Sequence, residues 1–482
     1  MSENRNLTLF QMNDCHAYFD LHNELFWSGS QPIYKEVGGF ARINSIFNQF
    51  RQEQPEQVLT FDCGDTIHGT YAAVKSKGES LIPILNEMGF DAMTAHWEFA
   101  YGPEQFMDIT NKLNYPMLAI NCYYEDNDKL VFKPYTIIEK NDLRLGIIGI
   151  AASIVDKVMP DHFSQGIYFT LGNEELGYYI NKLQDEERVD LIMVISHLGF
   201  PQEVRLALET EGIDVLLSAH THNRLYKPVV VNNTIIIQSG CHGSFVGRLD
   251  LDIIDNKIKN FNHQLITVEK EIKPDIIIEE MVNKVLKPHE DYLNQIVGYT
   301  KTGLNRNTVL ESTMDNFLLD ALSNEFDVQL AFSNGWRYGA PVPPGEITMN
   351  DLWNIIPVNP PISTVELEGR EIWVMMEENL ERTFSTNPYN QMGGYVKRCM
   401  GLNVYFKIEN PNGIRIQEMF IQGKRIEPYQ KYRAVSVTSQ GVPIKYGDKR
   451  EKSDKYAIDS MIKYLEENKS IKAGLKGTII PI

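Results

Sequence analysis

The chain has 482 residues, 43% of them hydrophobic, which is enough for two domains with separate cores. Its formal net charge of −18, from 46 basic and 64 acidic residues, argues against a protein built to grip nucleic-acid backbone or an anionic membrane. An anionic small substrate stays open only through a locally positive site, such as a metal centre.

Five scattered cysteines (Cys15, Cys63, Cys122, Cys241, Cys399) read as reduced thiols of a cytosolic protein. The first residues run straight into β-prone Leu-Thr-Leu-Phe, with no apolar export segment. The longest mostly apolar run, 145–155, is too short to cross a bilayer. The expectation is a cytoplasmic protein with no membrane, nucleic-acid or obligate protein partner.

Taken in order, 6–12 alternates as a strand and breaks at Asn13-Asp14-Cys15-His16. Residues 58–63 form an apolar run ending in Asp62-Cys63-Gly64-Asp65. A helix over 81–88 precedes a short buried strand and the stretch Ala95-His96-Trp97-Glu98-Phe99. Residues 117–121 read as a strand, and 135–140 with 143–150 as a hairpin about Asn141-Asp142. Helices over 174–187 and 202–211 alternate with strands over 191–196 and 215–218, which run into His197 and His220-Thr221-His222. Strands over 234–238 and 248–254 complete a layered α/β domain of residues 1–270. A charge-rich helical linker (271–298) leads to a second, smaller α/β domain (299–482). Ten of the eleven histidines lie at or before His263 and the last is His289, so His-rich metal chemistry belongs to the first domain.

Polar residues of ligand type recur just past the C-terminal ends of these strands, where sites form in α/β sheets. In an extended segment, positions i and i+2 face the same way, so Asp14 and His16 can share an ion, as can His220 and His222. Asp65 follows a glycine that permits close approach, and its carboxylate can bridge two ions. With His197, these fragments offer mixed N/O donors to two divalent metals, suited to Mn, Zn, Fe or Co more than to Ca or Mg. Two such ions would supply Lewis acidity and an activated water to an anionic substrate.

Asn-Asp14-x-His16, Cys-Gly-Asp65-x-x-x-Gly69, Ser-His197-Leu-Gly, Ala-His220-Thr-His222 and Gln238-Ser-Gly-x-x-Gly243 resemble the calcineurin-like metallophosphoesterases, and within them the two-domain 5′-nucleotidases. The resemblance implies a four-layer α/β/β/α sandwich followed by a 5′-nucleotidase-type substrate domain. It implies Asp14, His16, Asp65, His197, His220 and His222 as ligands of two metal ions, manganese first, with Asp65 bridging. Segments 332–337, 345–347 and 393–402 look like the substrate side of the second domain. With the Tyr/Asn/Gly loop 387–394, they make Asn334, Trp336, Arg337, Tyr389, Gly393 and Gly394 the candidate substrate contacts, with Arg337 as the anion-binding group.

The family's usual Gly-Asn-His-Glu is replaced here by Ala95-His96-Trp97-Glu98, which puts His96 at the Asn ligand position and Trp97 at the usual catalytic histidine. A His-Trp-Glu-Phe stretch resembles the Sox-type thiosulfohydrolases of the same superfamily, as do Gly335-Trp-Arg337-Tyr-Gly339 and Cys241-His242-Gly243. His96 is therefore a candidate ligand or general acid, and His242 a second candidate acid. Asn121, at a strand end, is a candidate to orient the site or replace the missing ligand, and Glu98 a supporting residue or further ligand. The expected activity is hydrolysis of phosphate monoesters, nucleotides foremost, by an enzyme of nucleotide catabolism. The alternatives are a sulfur-ester hydrolase and a metal-containing binding module that has lost turnover.

Overall fold

A computed structural model describes residues 4–482, which fall into two compact units. One comprises residues up to His22 and Glu36–Pro288, the other Asn23–Lys35 and His289–Ile482.

The first unit is built on two sheets. One has five strands in the order Lys257–Thr267, Phe245–Ile254, Asn4–Met12, Val58–Asp62, Ala92–Met93. The other has six, in the order Val229–Val231, Thr234–Ile237, Val215–Leu217, Leu191–Ser196, Leu143–Ile150, Tyr135–Lys140. Strand Leu191–Ser196 shows why these sequences make layers. Leu191, Met193 and Ile195 join a buried cluster with Leu7, Leu9, Leu59 and Phe61 of the five-stranded sheet. The intervening Ile192 and Val194 face the other way, onto Leu176, Ile180 and Leu206 of helices Asn173–Asn181 and Phe200–Glu209. A period of two thus gives each strand two buried faces. On the outer face of the five-stranded sheet, Phe10 meets Phe47 and Phe50 of helix Phe40–Glu53 (ring centroids 5.2 and 5.3 Å). The result is the expected helix–sheet–sheet–helix sandwich.

Asn4–Met12, Val58–Asp62 and Ala92–Met93 are mutually parallel, as are Leu143–Ile150, Leu191–Ser196, Val215–Leu217 and Thr234–Ile237. Their C-terminal ends deliver every ligand-type fragment found in the sequence.

Two local expectations change, and one hairpin is additional to them. Residues 117–121 make only isolated bridges, at Met117 and Leu118, because successive amides go to different partners: Leu118 N to Met93 O, Ala119 N to Lys133 O and Ile120 N to Gly149 O. The helix expected over 174–187 becomes π-helical across Lys182–Glu186. The sequence reading passed over the hairpin His22–Ser28 and Gln31–Val37, most of which groups with the second unit. There Tyr34 packs so closely that a Cβ on Gly303 would lie 1.7 Å from its hydroxyl.

The second unit has a five-stranded mixed sheet ordered Arg398–Met400, Leu330–Ser333, Lys431–Val437, Pro361–Glu368, Asp448–Tyr456. Helices Thr313–Phe326, Gly369–Phe384 and Ala457–Asn468 accompany it, with a four-stranded sheet that includes Leu402–Phe406 and Ile416–Ile421. Beside the strand ends, Asp315 is wholly buried between two arginines, 3.0 Å from Arg306 Nη2 and 3.2 Å from Arg398 Nε. Burial opposes ionisation of Asp315, but the two guanidiniums hold its pKa below the usual carboxylate range.

Removing one partner of a buried ion pair leaves uncompensated charge. Asp315→Ala is expected to destabilise the second unit by about 3–5 kcal/mol in urea unfolding followed by tryptophan fluorescence. A loss below about 1 kcal/mol, the scale of an exposed pair, would show that the arginines are solvated instead.

Candidate metal centre

Asp14 and His16 do not share a face through extended backbone, as the i, i+2 spacing suggests. Both have left-handed φ (52° and 46°), as do Asp65 (58°), His220 (71°) and His222 (58°). Side chains converge because the strands end in tight left-handed turns, a conformation that Asp and His tolerate better than most residues. The turns hold each other. Asp14 N donates to Gly64 O (2.9 Å), His16 N to Asp65 O (2.6 Å) and Ala17 N to Thr66 O (2.9 Å). Gly64 (φ 90°) has no alternative, since a Cβ there would lie 2.9 Å from both His197 Nδ1 and Thr94 O.

Two groups of ligand atoms result, each within 4.8 Å of one another: Asp14, His16, Asp65 and His222, and Asp65, His96, His197 and His220. Asp65 belongs to both. Its carboxylate lies 3.3 Å from His96 Nδ1, 3.3 Å from His197 Nε2 and 3.6 Å from His16 Nε2. Asp14 Oδ1 lies 3.2 Å from His222 Nε2 and 3.6 Å from His197 Nε2. His16 and His222 bring their Nε2 atoms to 3.3 Å from each other, which suits a shared cation better than two imidazolium rings. His197 Nδ1 donates to Cys63 O (2.6 Å), a bond that fixes the tautomer and leaves the Nε2 lone pair facing the carboxylates. These residues fit two divalent metal ions with a bridging carboxylate.

The electrostatics agree. Burial would raise both aspartates. Even so, His96, His197 and His16 hold Asp65 well below the usual carboxylate range, and His222 and His197 hold Asp14 below it. Burial would lower the histidines, and it does so for His16. For His197 the Asp65 and Asp14 carboxylates win and push its pKa up to about 10. For His222, burial is outweighed by Cys241 and Asp14, which push it up to about 9.

His96 therefore sits among the ligand atoms. Trp97 points elsewhere: its ring stacks on His68 (centroids 4.9 Å, 22° between planes) and meets Phe163 edge-on, while its backbone N–H donates to Asp65 Oδ1 (2.7 Å). Glu98 is not in either group. Its buried carboxylate accepts three backbone N–H bonds, from His96 (2.7 Å), Asp65 (3.2 Å) and Thr66 (2.6 Å), and so fixes both ligand turns. Asn121 is not a ligand in this arrangement. Its amide donates to Ala151 O and Thr170 O, and its oxygen accepts from Ala151 N, so both ends are occupied by backbone. His242 borders the first group, its ring 6.3 Å from that of His222 and 6.4 Å from that of His16, with Nδ1 3.5 Å from Cys241 Sγ.

In the second unit, Arg337 lies over the Tyr395 ring (5.6 Å), and Asn334 donates to the Tyr395 hydroxyl (3.1 Å). A Cβ on Gly394 would come 2.5 Å from Arg337 Nη2, so the Gly393-Gly394 turn makes room for the guanidinium. Tyr389 is half-buried, a few residues earlier in the turn Pro388–Asn390. Trp336 is not a surface contact. It is 1% exposed and capped by Arg306, because the Gly335 turn (φ 69°) folds its ring into the core.

The sequence reading missed Asn13, whose amide donates to Asp14 Oδ2 (2.7 Å) and Gly240 O (2.9 Å), along with Glu203 and the hydrogen-bonding role of Gln238. Asn13 and Gln238 lie inside quoted motifs and could have been found there. Glu203 looks like any solvent-facing helix residue.

Residues 7–224 match the calcineurin-like phosphoesterase family and residues 295–438 the 5′-nucleotidase C-terminal domain. The trifunctional nucleotide phosphoesterase protein YfkN of Bacillus subtilis is 23% identical over 464 residues, covering 86% of this chain; the chain spans 30% of that larger protein. Two solved structures share the fold at 22% identity. The sulfate thiohydrolase SoxB of Thermus thermophilus has a TM-score of 0.92, with 99% of this chain and 96% of that one covered. A 5′-nucleotidase precursor, also from Thermus thermophilus, has a TM-score of 0.86, with 99% of each covered.

Raised histidine pKa values have a signed consequence. The stabilisation that protonated His197 and His222 give the metal-free protein is full below their unfolded pKa of about 6.5 and is lost as pH rises to about 9–10. Divalent cations must displace those protons. Titration calorimetry in buffers of different ionisation enthalpy is expected to show proton release on Mn(II) binding at pH 7, with apparent affinity rising towards pH 9. Binding that releases no protons would contradict this ligand set.

Proposed function

We propose that this chain, which matches the calcineurin-like phosphoesterase family over residues 7–224 and the 5′-nucleotidase C-terminal domain over residues 295–438, hydrolyses phosphate monoesters, nucleotides foremost, in nucleotide catabolism. The observation that carries this reading is Asp65, one carboxylate common to two four-residue groups of ligand atoms.

Asp14, His16, Asp65 and His222 would hold one ion, and Asp65, His96, His197 and His220 the other, Asp65 bridging. Five imidazoles beside two carboxylates favour manganese, zinc, iron or cobalt over calcium or magnesium, and manganese is the first choice. Two such ions supply Lewis acidity and a nucleophile at neutral pH. The protein's own groups do the rest. Glu98 and Asn13 hold the carboxylate-bearing turns in place, so the ligands need little reorganisation. Arg337 supplies a fixed positive charge for the oxygens of an anionic substrate. With Trp97 in place of the family's usual histidine, His242, whose ring borders those of His16 and His222, would give the leaving group its proton.

A sulfur-ester substrate is the second reading. Two observations favour it: the His96-Trp97 pair, and the burial of Trp336, which removes an aromatic that could stack on a nucleobase.

The manganese-loaded protein is expected to release phosphate from AMP and from an aryl phosphate, and to leave a cysteine S-thiosulfonate peptide intact. Sulfate release from that peptide with no phosphate release would replace the first reading by the second. Two bound ions with no ester hydrolysed would reduce the protein to a binding module.

Two variants divide the roles. His96→Ala is expected to lose one of two metal equivalents together with turnover; lost turnover at full metal occupancy would make His96 an acid instead. Arg337→Ala is expected to keep both ions and lose about 10–100-fold in kcat/KM, the value of a hydrogen bond to a charged group. An unchanged kcat/KM would remove Arg337 from substrate binding.

A further inference from the structure

Behind the three histidines of the six-stranded sheet lies a buried polar chain that none of the ligand roles uses. Glu203, on helix Phe200–Glu209, is 0% exposed, as are Ser218 and Gln238. Its carboxylate accepts from the Ser218 hydroxyl, from Gly199 N (3.3 Å) and from the Ser196 hydroxyl. Ser218 in turn accepts from Gln238 Nε2 (2.7 Å), which also donates to Ala219 O (2.6 Å). Gln238 Oε1 accepts from Thr221 Oγ1 (3.0 Å) and from Asn223 N. Thr221 Oγ1 closes the circuit by accepting from Phe200 N (3.1 Å).

The residues so held are those that flank the ligands. Ser196 and Gly199 bracket His197, Ser218 and Ala219 precede His220, and Thr221 and Asn223 lie on either side of His222. A buried carboxyl is costly unless its bonds are satisfied, and the bonds to the Glu203 carboxylate come from the ligand-bearing loops. We propose that Glu203 and Gln238 are positioning residues of the dinuclear centre. Glu203 sets the spacing of His197 and His220 around one ion, and Gln238 locks the His220-Thr221-His222 turn that serves both. The proposal rests on the two-ion reading above.

The two roles predict different metal-binding defects, which a general loss of stability would not. In a Mn(II) titration followed by electron paramagnetic resonance, the wild-type protein is expected to fill two sites and show an exchange-coupled pair. Glu203→Gln, which turns an acceptor into a donor towards Ser218 or Gly199, is expected to weaken one ion by about 10–100-fold. The other is retained, leaving an isolated six-line Mn(II) signal. Gln238→Ala is expected to weaken both. A folded Glu203→Gln protein that fills both sites with wild-type affinity, or loses both alike, overturns the proposal. If Glu203→Gln fails to fold, Ser196→Ala removes a hydroxyl donor to the same carboxylate without touching Gln238 and is held to the same two outcomes. A wild-type protein that binds no metal pair would instead defeat the two-ion reading itself.

Discussion

The site is organised by one carboxylate. Asp65 ends the turn after a central strand, and every group around it either ligates alongside it or holds it still. Glu98 takes its amide, His16 bonds to its carbonyl, and the Trp97 backbone N–H points at its side chain. Burying two carboxylates within reach of five imidazoles is unfavourable unless positive charge is supplied. The left-handed backbone at five ligand positions adds a cost on the order of 1–3 kcal/mol each. Such strain persists only where surrounding bonds over-determine it. The three backbone bonds that zip residues 14–17 to 64–66 do so, with the Glu98 carboxylate beneath them.

Much of this was legible in the sequence because the signal was local. Strand alternation put Leu191, Met193 and Ile195 on one face, and each run ended in a ligand-type residue. Parallel strands then brought those ends to common edges with no further information needed. The ligand fragments were found for that reason, although the geometric argument for Asp14 and His16 was wrong: turns, not extended backbone, aim the side chains. Turn handedness in a non-glycine residue leaves little trace in sequence.

What escaped was set by tertiary context. Asn121 and Trp336 have the composition of site residues, yet one is spent on loop backbone and the other folds into a core beneath Arg306. Glu203 has the composition of a surface residue but is buried. The hairpin containing Tyr34 lies between two ligand-bearing segments in sequence yet groups with the second unit, an exchange that no periodicity announces. The replacement of the family histidine by Trp97 was visible at once. Its physical meaning needed the structure, which places His96 with the ligands and turns the Trp97 ring onto His68. That arrangement leaves no histidine at the position where the family usually has one.

The central claim is that one carboxylate serves two ions. The most direct test is a crystal of the protein soaked in Mn(II), with anomalous scattering measured at the manganese edge. The account predicts two peaks about 3.5–4 Å apart, one on each side of the Asp65 carboxylate. A single peak, or peaks away from Asp65, would contradict it.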